Sequence, residues 1–173
     1  MKNNRKNDKL IYMVYAGMFA AMTALFTSVL HIPVGNGYIH CGDAVIYLAA
    51  VTLPMPYAVG ASAIGGMAAD LLAGYPMYAL PTFLIKGLLA LTVSLIGGKR
   101  PVDGRRMTAL VLCGVISIIG YWITAVILYG GWKAQLIGTA PGNLVQAIGS
   151  GVVYAVSAVA LERIRNRKAH LMF

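Results

Sequence analysis

The sequence has few charged side chains for its length. Of its 173 residues, 14 are Lys or Arg and 5 are Asp or Glu, so that 11% are charged while 59% are hydrophobic. An average soluble domain is about 25% charged and about 45–50% apolar. A globule of this size with so little charge lacks the polar surface that water requires, and the composition therefore predicts an integral membrane protein.

Motifs of catalysis and metal binding are also missing from the sequence. Two cysteines cannot form a disulfide framework, and they do not lie in a Cys-x-x-Cys pair. There is no Walker-type phosphate loop and no His-Glu-x-x-His zinc motif. The histidines do not cluster, because His31 and His40 lie in one polar segment and His170 is near the end. We expect no catalytic residues, no bound metal and no cofactor.

Six apolar stretches are present, separated by short polar or Gly- and Pro-containing segments. The first is long enough to cross a hydrocarbon core of about 30 Å at about 1.5 Å per residue. The second covers only about 16 Å, so it either draws extra length from the chain before Asp43 or is re-entrant, which would leave five crossings. The sixth is expected to begin near Pro141, because proline suits a first helical turn. The stretches are 10–30, 43–53, 57–72, 82–96, 107–129 and 141–161, with Pro54-Met55-Pro56 as a tight connection between the second and the third.

The distribution of positive charge favours six crossings. Twelve of the 14 basic residues lie in three clusters, before the first stretch, between the fourth and fifth, and after the sixth. Six crossings place all three clusters on one side, as the positive-inside rule requires, whereas five would split them. Contact with anionic lipid headgroups, rather than with nucleic acid, explains this charge. The clusters are Lys2, Arg5, Lys6 and Lys9; Lys99, Arg100, Arg105 and Arg106; and Arg163, Arg165, Arg167 and Lys168.

The sequence therefore predicts an all-α, multi-pass protein of the cell membrane. Residues 1–173 form one domain with six transmembrane helices and with cytoplasmic N- and C-termini. The loops 31–42, 74–81 and 130–140 then face outward.

Four charged residues are expected at the outer side, at the ends of helices or in an outer loop: Asp43, Asp70, Lys86 and Lys133. The acidic residues Asp8, Asp103 and Glu162 are expected on the inner side with the basic clusters. An ionised side chain at the centre of a membrane costs roughly 2.5–3.5 kcal/mol, so such residues are usually paired or functional. Structural alternatives stay open: Lys86 reaching the headgroups, Asp43 capping a helix, or Asp70 pairing with Lys86. Lys133 falls in the last outer loop.

Aromatic and amide side chains map to the same outer end. Belts of aromatic residues at the membrane surface account for some of them, but not for His40, Asn143 or Gln146. Because ligand pockets combine apolar walls with a few placed polar groups, we interpret this mouth as a small-molecule site. The candidate substrate-binding residues are Tyr38, His40, Asp43, Asp70, Tyr75, Tyr78, Lys86, Trp122, Asn143 and Gln146.

Three stretches carry small residues at every fourth position, which allows helices to approach closely in lipid. In the third and sixth stretches we expect this pattern to pack within the chain. In the first stretch the same pattern allows two interpretations, packing within the chain or docking on another membrane subunit. The residues are Ala16, Ala20 and Ala24; Ala61, Gly65 and Ala69; and Ala147, Gly151 and Ala155.

The segment from residue 35 to residue 86 resembles the S components of energy-coupling factor (ECF) vitamin transporters. The resemblance lies in Gly35-Asn-Gly-Tyr-Ile-His-Cys-Gly-Asp43, Tyr47-Leu-Ala-Ala, Asp70-Leu-Leu-Ala-Gly-Tyr-Pro-Met-Tyr78 and Thr82-Phe-Leu-Ile-Lys86. It is strongest to the branch with riboflavin, pyridoxine and hydroxymethylpyrimidine transporters. The stripe of Ala16, Ala20 and Ala24 resembles the Ala-x-x-x-Ala motif with which that family docks on its partner.

The resemblance implies a subunit that binds a vitamin or vitamin precursor at the outer face. Such a subunit associates with a membrane T subunit and two cytosolic ATPase subunits, which drive release of the substrate inside. We expect a small heteroaromatic B-vitamin or precursor, with a thiamine precursor as the first choice and a pyridoxine-like compound as the second. Asp43, Asp70, Tyr75, Tyr78 and Lys86 match the family block, as ligand contacts or as shared scaffold.

The alternative is a self-sufficient, proton-coupled secondary transporter that acts as a homo-oligomer. In that case Asp70 would carry the proton. Secondary transporters often show internal repeats and midplane carboxylates, but this sequence has no repeat, and its acidic residues map near the outer surface.

Overall fold

A computed structural model of the chain describes residues 2–34, 37–98 and 100–170. Gly35 and Asn36 of the motif, and Lys99 of the second basic cluster, lie outside the described residues. The elements are α1 (Lys2–Ser28), β1 (His31–Val34), β2 (Gly37–His40), α2 (Gly42–Thr52), α3 (Met55–Ala73), a 3-10 turn (Pro76–Tyr78), α4 (Ala79–Ile96), α5 (Gly104–Tyr129) and α6 (Trp132–His170).

Within the described residues, four segments have the length and the apolar composition to cross a bilayer. Apolar side chains cover their outer surface; Ile127 on α5 is 77% exposed and Ile137 on α6 is 76% exposed. Such exposure is costly in water and suits contact with lipid. The other two helices are α2, with 11 residues, and α3, with 19 residues rich in Ala and Gly. The four segments are Asn7–Ser28, Pro76–Ile96, Gly104–Tyr129 and Trp132–Ala160.

A β-hairpin occupies the segment that the sequence predicts to be a loop before the second helix. The two strands are antiparallel, with His31 opposite His40 and Ile32 opposite Ile39. This chain is therefore not available to lengthen α2, which begins only one residue before Asp43. The expected extension of the second helix is wrong, and the strictly all-α description needs the hairpin added.

The last helix begins much earlier than expected. Gly130 and Gly131 adopt φ angles of 70° and 69°, a region that glycine enters without strain, and they reverse the chain directly after α5. As a result α6 begins at Trp132, and Pro141 lies inside it rather than at its first turn. Membrane helices tolerate an internal proline where nearby side chains bond to the backbone. The carbonyl that Pro141 leaves without its helical donor is that of Ile137, four residues earlier.

The packed core lies between α2, α4, α5 and α6. Ile46, Tyr47, Leu89 and Val93 are at most 1% exposed. The rings of Tyr47 on α2 and Tyr154 on α6 meet edge to face, with their centroids 5.9 Å apart. This arrangement is favourable for aromatic pairs, and it holds the short helix α2 in the centre of the bundle.

The small residues of α3 pack within the chain, as predicted. Ala61, Gly65 and Ala69 are all buried. A Cβ atom on Gly65 would lie 2.6 Å from the backbone oxygen of Ala20, so the backbones of α3 and α1 are in direct contact there. On α6 the prediction holds only in part: Ala147 contacts α5, where a Cβ atom on Gly114 would lie 3.2 Å from it, but a Cβ atom on Gly151 would meet no atom of the described residues within 4 Å.

The alanine stripe of α1 therefore turns toward its own bundle. Ala20 lies against α3, Ala24 is 7% exposed, and Ala16 packs against the core. The sequence leaves two alternatives open for this stripe, packing within the chain and docking on another subunit. The arrangement in the structure is packing within the chain. The neighbouring face of α1, which includes Gly17 and Ala21, is exposed. Docking of a partner on α1 stays a prediction.

Candidate functional site

Three connecting segments meet at one end of the bundle: the hairpin, the turn before α4 and the beginning of α6. The ring of Tyr38 on β2 lies 5.0 Å from that of Tyr75, and Tyr78 lies 6.5 Å from Tyr129 at the end of α5. The hairpin also touches α6, since a Cβ atom on Gly142 would lie 3.2 Å from Ile39. The loops predicted to face the same side do lie together.

A cavity opens between these segments. The volume of this cavity is about 60 Å³. One water molecule needs about 10–15 Å³ on that measure, so the cavity has room for about four to six waters. This is the size of one substituted aromatic ring. The wall consists of Thr27, Val34, Tyr38, Ile39, His40, Asp70, Tyr78, Thr82, Tyr121, Thr139, Gly142, Asn143 and Gln146.

An ion pair lies behind the wall, between α4 and α2. The Nζ atom of Lys86 is 2.6 Å from Oδ1 of Asp43, and the two side chains are 0% and 1% exposed. A buried charge is costly without a partner, and each of these groups compensates the other. Lys86 therefore does not reach the headgroups, and among the described residues it does not pair with Asp70.

Gln146 connects this ion pair to the cavity wall and to the hairpin. Its Nε2 atom donates to Oδ2 of Asp43 at 2.8 Å, and its Oε1 atom accepts from the backbone nitrogen of His40 at 3.3 Å. Both ends of the amide are thus engaged. The Oγ atom of Ser150, one turn further along α6, donates to the His40 carbonyl at 3.5 Å. Together these bonds attach β2 to α6.

His40 is held in its neutral form. Its Nδ1 atom accepts a hydrogen bond from the backbone nitrogen of Gly42 at 3.0 Å, which requires the proton to be on Nε2. Burial, followed by the positive charge of Lys86, lowers the pKa of His40 to about 3, against an opposing effect of Asp43. The imidazole is therefore a neutral donor and acceptor at physiological pH.

Asp70, near the end of α3, lies in the wall of the cavity and is bonded through only one oxygen. The hydroxyl of Tyr38 donates to Oδ1 at 2.5 Å, whereas Oδ2 is buried without a hydrogen-bond partner among the described residues. Burial, and next the charge of Asp70, raise the pKa of Tyr38 well above its ordinary value, so its hydroxyl keeps its proton.

Tyr121 supplies an aromatic wall that the sequence analysis does not identify. Its hydroxyl is 3.2 Å from that of Thr82, and the Lys86 ammonium lies 5.3 Å from the centre of its ring. The sequence analysis selects the adjacent Trp122 instead. Trp122 lies outside the wall, where its Nε1 atom donates to the Trp132 carbonyl at 2.9 Å. Neighbouring residues of a helix differ by about 100° in direction, and composition alone does not choose between them.

The other predicted site residues are placed as follows. Tyr75 packs against Tyr38 without lining the cavity, and Asp43 and Lys86 lie behind it. Lys133 is exposed in the first turn of α6, with its ammonium 5.3 Å from the centre of the Trp132 ring. Six of the predicted residues line the cavity: Tyr38, His40, Asp70, Tyr78, Asn143 and Gln146. The sequence analysis does not identify the other wall residues, which are Thr27, Val34, Ile39, Thr82, Tyr121, Thr139 and Gly142.

Comparison with known proteins identifies the family. The chain is 32% identical over 130 residues to a Pyrococcus woesei protein described as an uncharacterized protein in the gap 3' region; the match covers 75% of this chain and 80% of that protein. Its fold is similar to that in a solved structure of the S component of a bacterial ECF transporter. The TM-score is 0.72, at 20% identity, over 92% of this chain and 98% of the other. The family model for the S component of ECF-type riboflavin transporters matches residues 7–163. The chain therefore belongs to the family of ECF-type riboflavin transporter S components.

Proposed function

We propose that this protein captures a small heteroaromatic B-vitamin, or a precursor of one, for an ATP-driven ECF importer. S components are membrane proteins that bind the vitamin in such transporters, and the rest of the transporter consists of a T subunit and ATPase subunits. The chain would therefore bind its substrate at the end that carries the hairpin, which we take as the outer end, and would depend on its partners for energy.

The observation that carries this proposal is the cavity at that end of the bundle. Its wall combines the rings of Tyr38, Tyr78 and Tyr121 with the amides of Asn143 and Gln146. Aromatic rings stack on flat ligands, and a few fixed polar groups set their orientation. The wall thus has the chemistry expected of a site for a ring with polar substituents.

The size of the cavity supports a one-ring substrate. Room for about four to six waters suits a pyrimidine, a thiazole or a pyridine with small substituents better than a fused three-ring flavin with a sugar-like chain. Our first choice is a thiamine precursor, such as a pyrimidine or thiazole alcohol, and our second is a pyridoxine-like compound. The riboflavin in the name of the family model describes the family, and we do not assign it to this chain.

Identification of the natural ligand is the direct test. The protein is purified in detergent from cells that contain its substrate, denatured, and analysed by mass spectrometry for small molecules released in a one-to-one ratio. We expect a one-ring vitamin or precursor. The matched control is the variant Asn143→Ala, which alters the wall and should release less of the same compound. A protein that releases no small molecule and binds none of these ring compounds would contradict the proposal.

A proton-coupled secondary transporter remains the alternative, because Asp70 is a buried carboxylate that lines the cavity. Reconstitution separates the two functions. An S component reconstituted alone into vesicles should bind the ligand without accumulating it under a proton gradient. Accumulation by the purified chain alone, abolished in Asp70→Asn, would establish the alternative.

A further inference from the structure

The Asp70 carboxylate is only half satisfied within the protein. It is 3% exposed and lines the cavity, and its Oδ1 atom accepts from the hydroxyl of Tyr38. The Oδ2 atom has no hydrogen-bond partner in the part of the chain that the structure describes. An unpaired buried acceptor is costly, and a charged one more so. A ligand that donates to Oδ2 would remove that cost.

The other ionisable groups around the cavity do not compensate this carboxylate. The ammonium of Lys86 is paired with Asp43, whose second oxygen accepts from Gln146. His40 is neutral, because burial lowers its pKa to about 3. Among the described residues of the wall, Asp70 is thus the one group that can carry a net charge, and this charge is negative.

The aromatic part of the wall suits the same kind of ligand. Tyr78 and Tyr121 line the cavity together with Asp70. Aromatic faces attract cations as well as flat rings. A carboxylate beside aromatic rings in a cavity of one-ring size selects for a ring nitrogen, or a ring amino group, that carries hydrogen, and a positive charge on the ring adds to this attraction.

We propose that Asp70 determines substrate specificity and that the substrate is a single-ring nitrogen heterocycle that donates an N–H group to the Oδ2 atom of Asp70. An aminopyrimidine and a protonated pyridine both belong to this class. This inference rests on the proposed function, since it concerns the ligand of the same cavity. It excludes substrates whose ring presents only hydrogen-bond acceptors to Asp70.

The test compares two probes of the same shape by calorimetry on the detergent-purified protein. One is 4-amino-5-hydroxymethyl-2-methylpyrimidine; the other carries a methyl group in place of the amino group. The wild-type protein should bind the amino probe at least about tenfold more tightly. In Asp70→Asn, Tyr38 should still donate to the side-chain oxygen, so that the amide nitrogen replaces Oδ2 as a donor. This variant should lose the preference, mainly through weaker binding of the amino probe.

Two further variants separate specificity from general damage to the site. Asn143→Ala should weaken the binding of both probes to a similar extent. Tyr38→Phe keeps the carboxylate, and should therefore keep the preference for the amino probe even if both affinities fall. This variant and the wild-type comparison test the inference even if Asp70→Asn does not fold.

Equal affinity of the wild-type protein for the two probes would overturn the inference. An equal loss of affinity for the two probes in Asp70→Asn would overturn it too. Failure of both probes to bind would overturn it as well. The proposed function is judged separately, by the ring compound that the purified protein releases.

Discussion

Lys86 is paired with Asp43 rather than with Asp70, although all three residues lie near the same end of the bundle. The Nζ–Oδ1 distance is 2.6 Å, and Gln146 donates to the other oxygen of Asp43. The pair joins α4 to α2, and Gln146 extends the connection to α6. A short helix that cannot span a bilayer by its own length is thus connected by polar contacts to two long ones.

Breaking this pair from one side should strongly destabilise the protein. Asp43→Asn leaves the charge of Lys86 buried and unpaired, and Lys86→Met does the same to Asp43. We expect each to lower the free energy of unfolding by about 3–5 kcal/mol, and the double variant Asp43→Asn/Lys86→Met to be less destabilised than either. Denaturant titrations in detergent measure all three.

The control for these variants is Lys133→Met, which removes an exposed ammonium. It should change the free energy of unfolding by less than about 0.5 kcal/mol. If the double variant is destabilised by the sum of the two single effects, the two residues do not act as a pair.

The wall of the cavity should determine ligand affinity, and the neighbouring aromatic residues should not. Asn143→Ala removes an amide from the wall and should weaken binding of the co-purified ligand at least tenfold, about 1.4 kcal/mol. Trp122→Phe is the matched control, because Trp122 bonds to Trp132 outside the wall. Calorimetry should show no change for this variant. If Trp122→Phe weakened binding more than Asn143→Ala, the ligand site would lie nearer to α5 than the cavity does.

Acidification should destabilise the protein through His40. The folded-state pKa of about 3 lies below the ordinary value of 6.5, so the unfolded chain binds the proton more strongly than the folded one. The neutral imidazole therefore contributes fully to the free energy of unfolding above pH 6.5. This contribution is lost as the pH falls from 6.5 toward 3. Thermal unfolding between pH 7.5 and pH 4.5, at intervals of about half a unit, measures the slope.

The control for the pH effect is His40→Asn, in which the side-chain oxygen takes the place of Nδ1 as acceptor for the Gly42 nitrogen. This variant has no imidazole to protonate, so its stability should fall less steeply over the same range. An identical slope in the two proteins would assign the pH dependence to other groups.

Two adjacent alanines on α1 should respond differently to a large side chain. Ala20 lies against the backbone of α3 at Gly65, whereas Ala21 is exposed. We expect Ala20→Trp to lower the unfolding temperature, because overpacking typically costs about 1–3 kcal/mol. Ala21→Trp should leave it unchanged.

The same pair of variants locates the partner-binding face. With the T and ATPase subunits present, Ala21→Trp should reduce ATP-dependent uptake and spare ligand binding if the exposed face of α1 contacts the partner. Normal uptake in Ala21→Trp would exclude this position from the interface.

The sequence predicts the long helices and the gathering of polar loops at one end, because both follow from local composition. It does not predict the hairpin, since strands of four residues in a Gly-containing segment carry little pattern. It also misplaces the start of α6: Pro141 has the signature of a first turn, and only the tertiary environment makes it tolerable inside a helix.

Side-chain partners were harder to predict than elements. The sequence places Asp43, Asp70 and Lys86 at one end but leaves open which two meet, because their choice depends on how the helices are arranged around one another. The selection of Trp122 in place of Tyr121 has a similar origin, since one residue of rotation along α5 decides which ring faces the cavity.

The two bonds of Gln146 have a thermodynamic consequence. Its side chain lines the cavity, yet its oxygen is engaged by β2 and its nitrogen by Asp43. A ligand that displaces either of these bonds weakens the link through Gln146, so occupancy of the cavity and attachment of the hairpin to α6 become linked quantities. By reciprocity, the factor by which the ligand changes the equilibrium for attachment of β2 to α6 equals the factor by which complete detachment of β2 changes the affinity for the ligand.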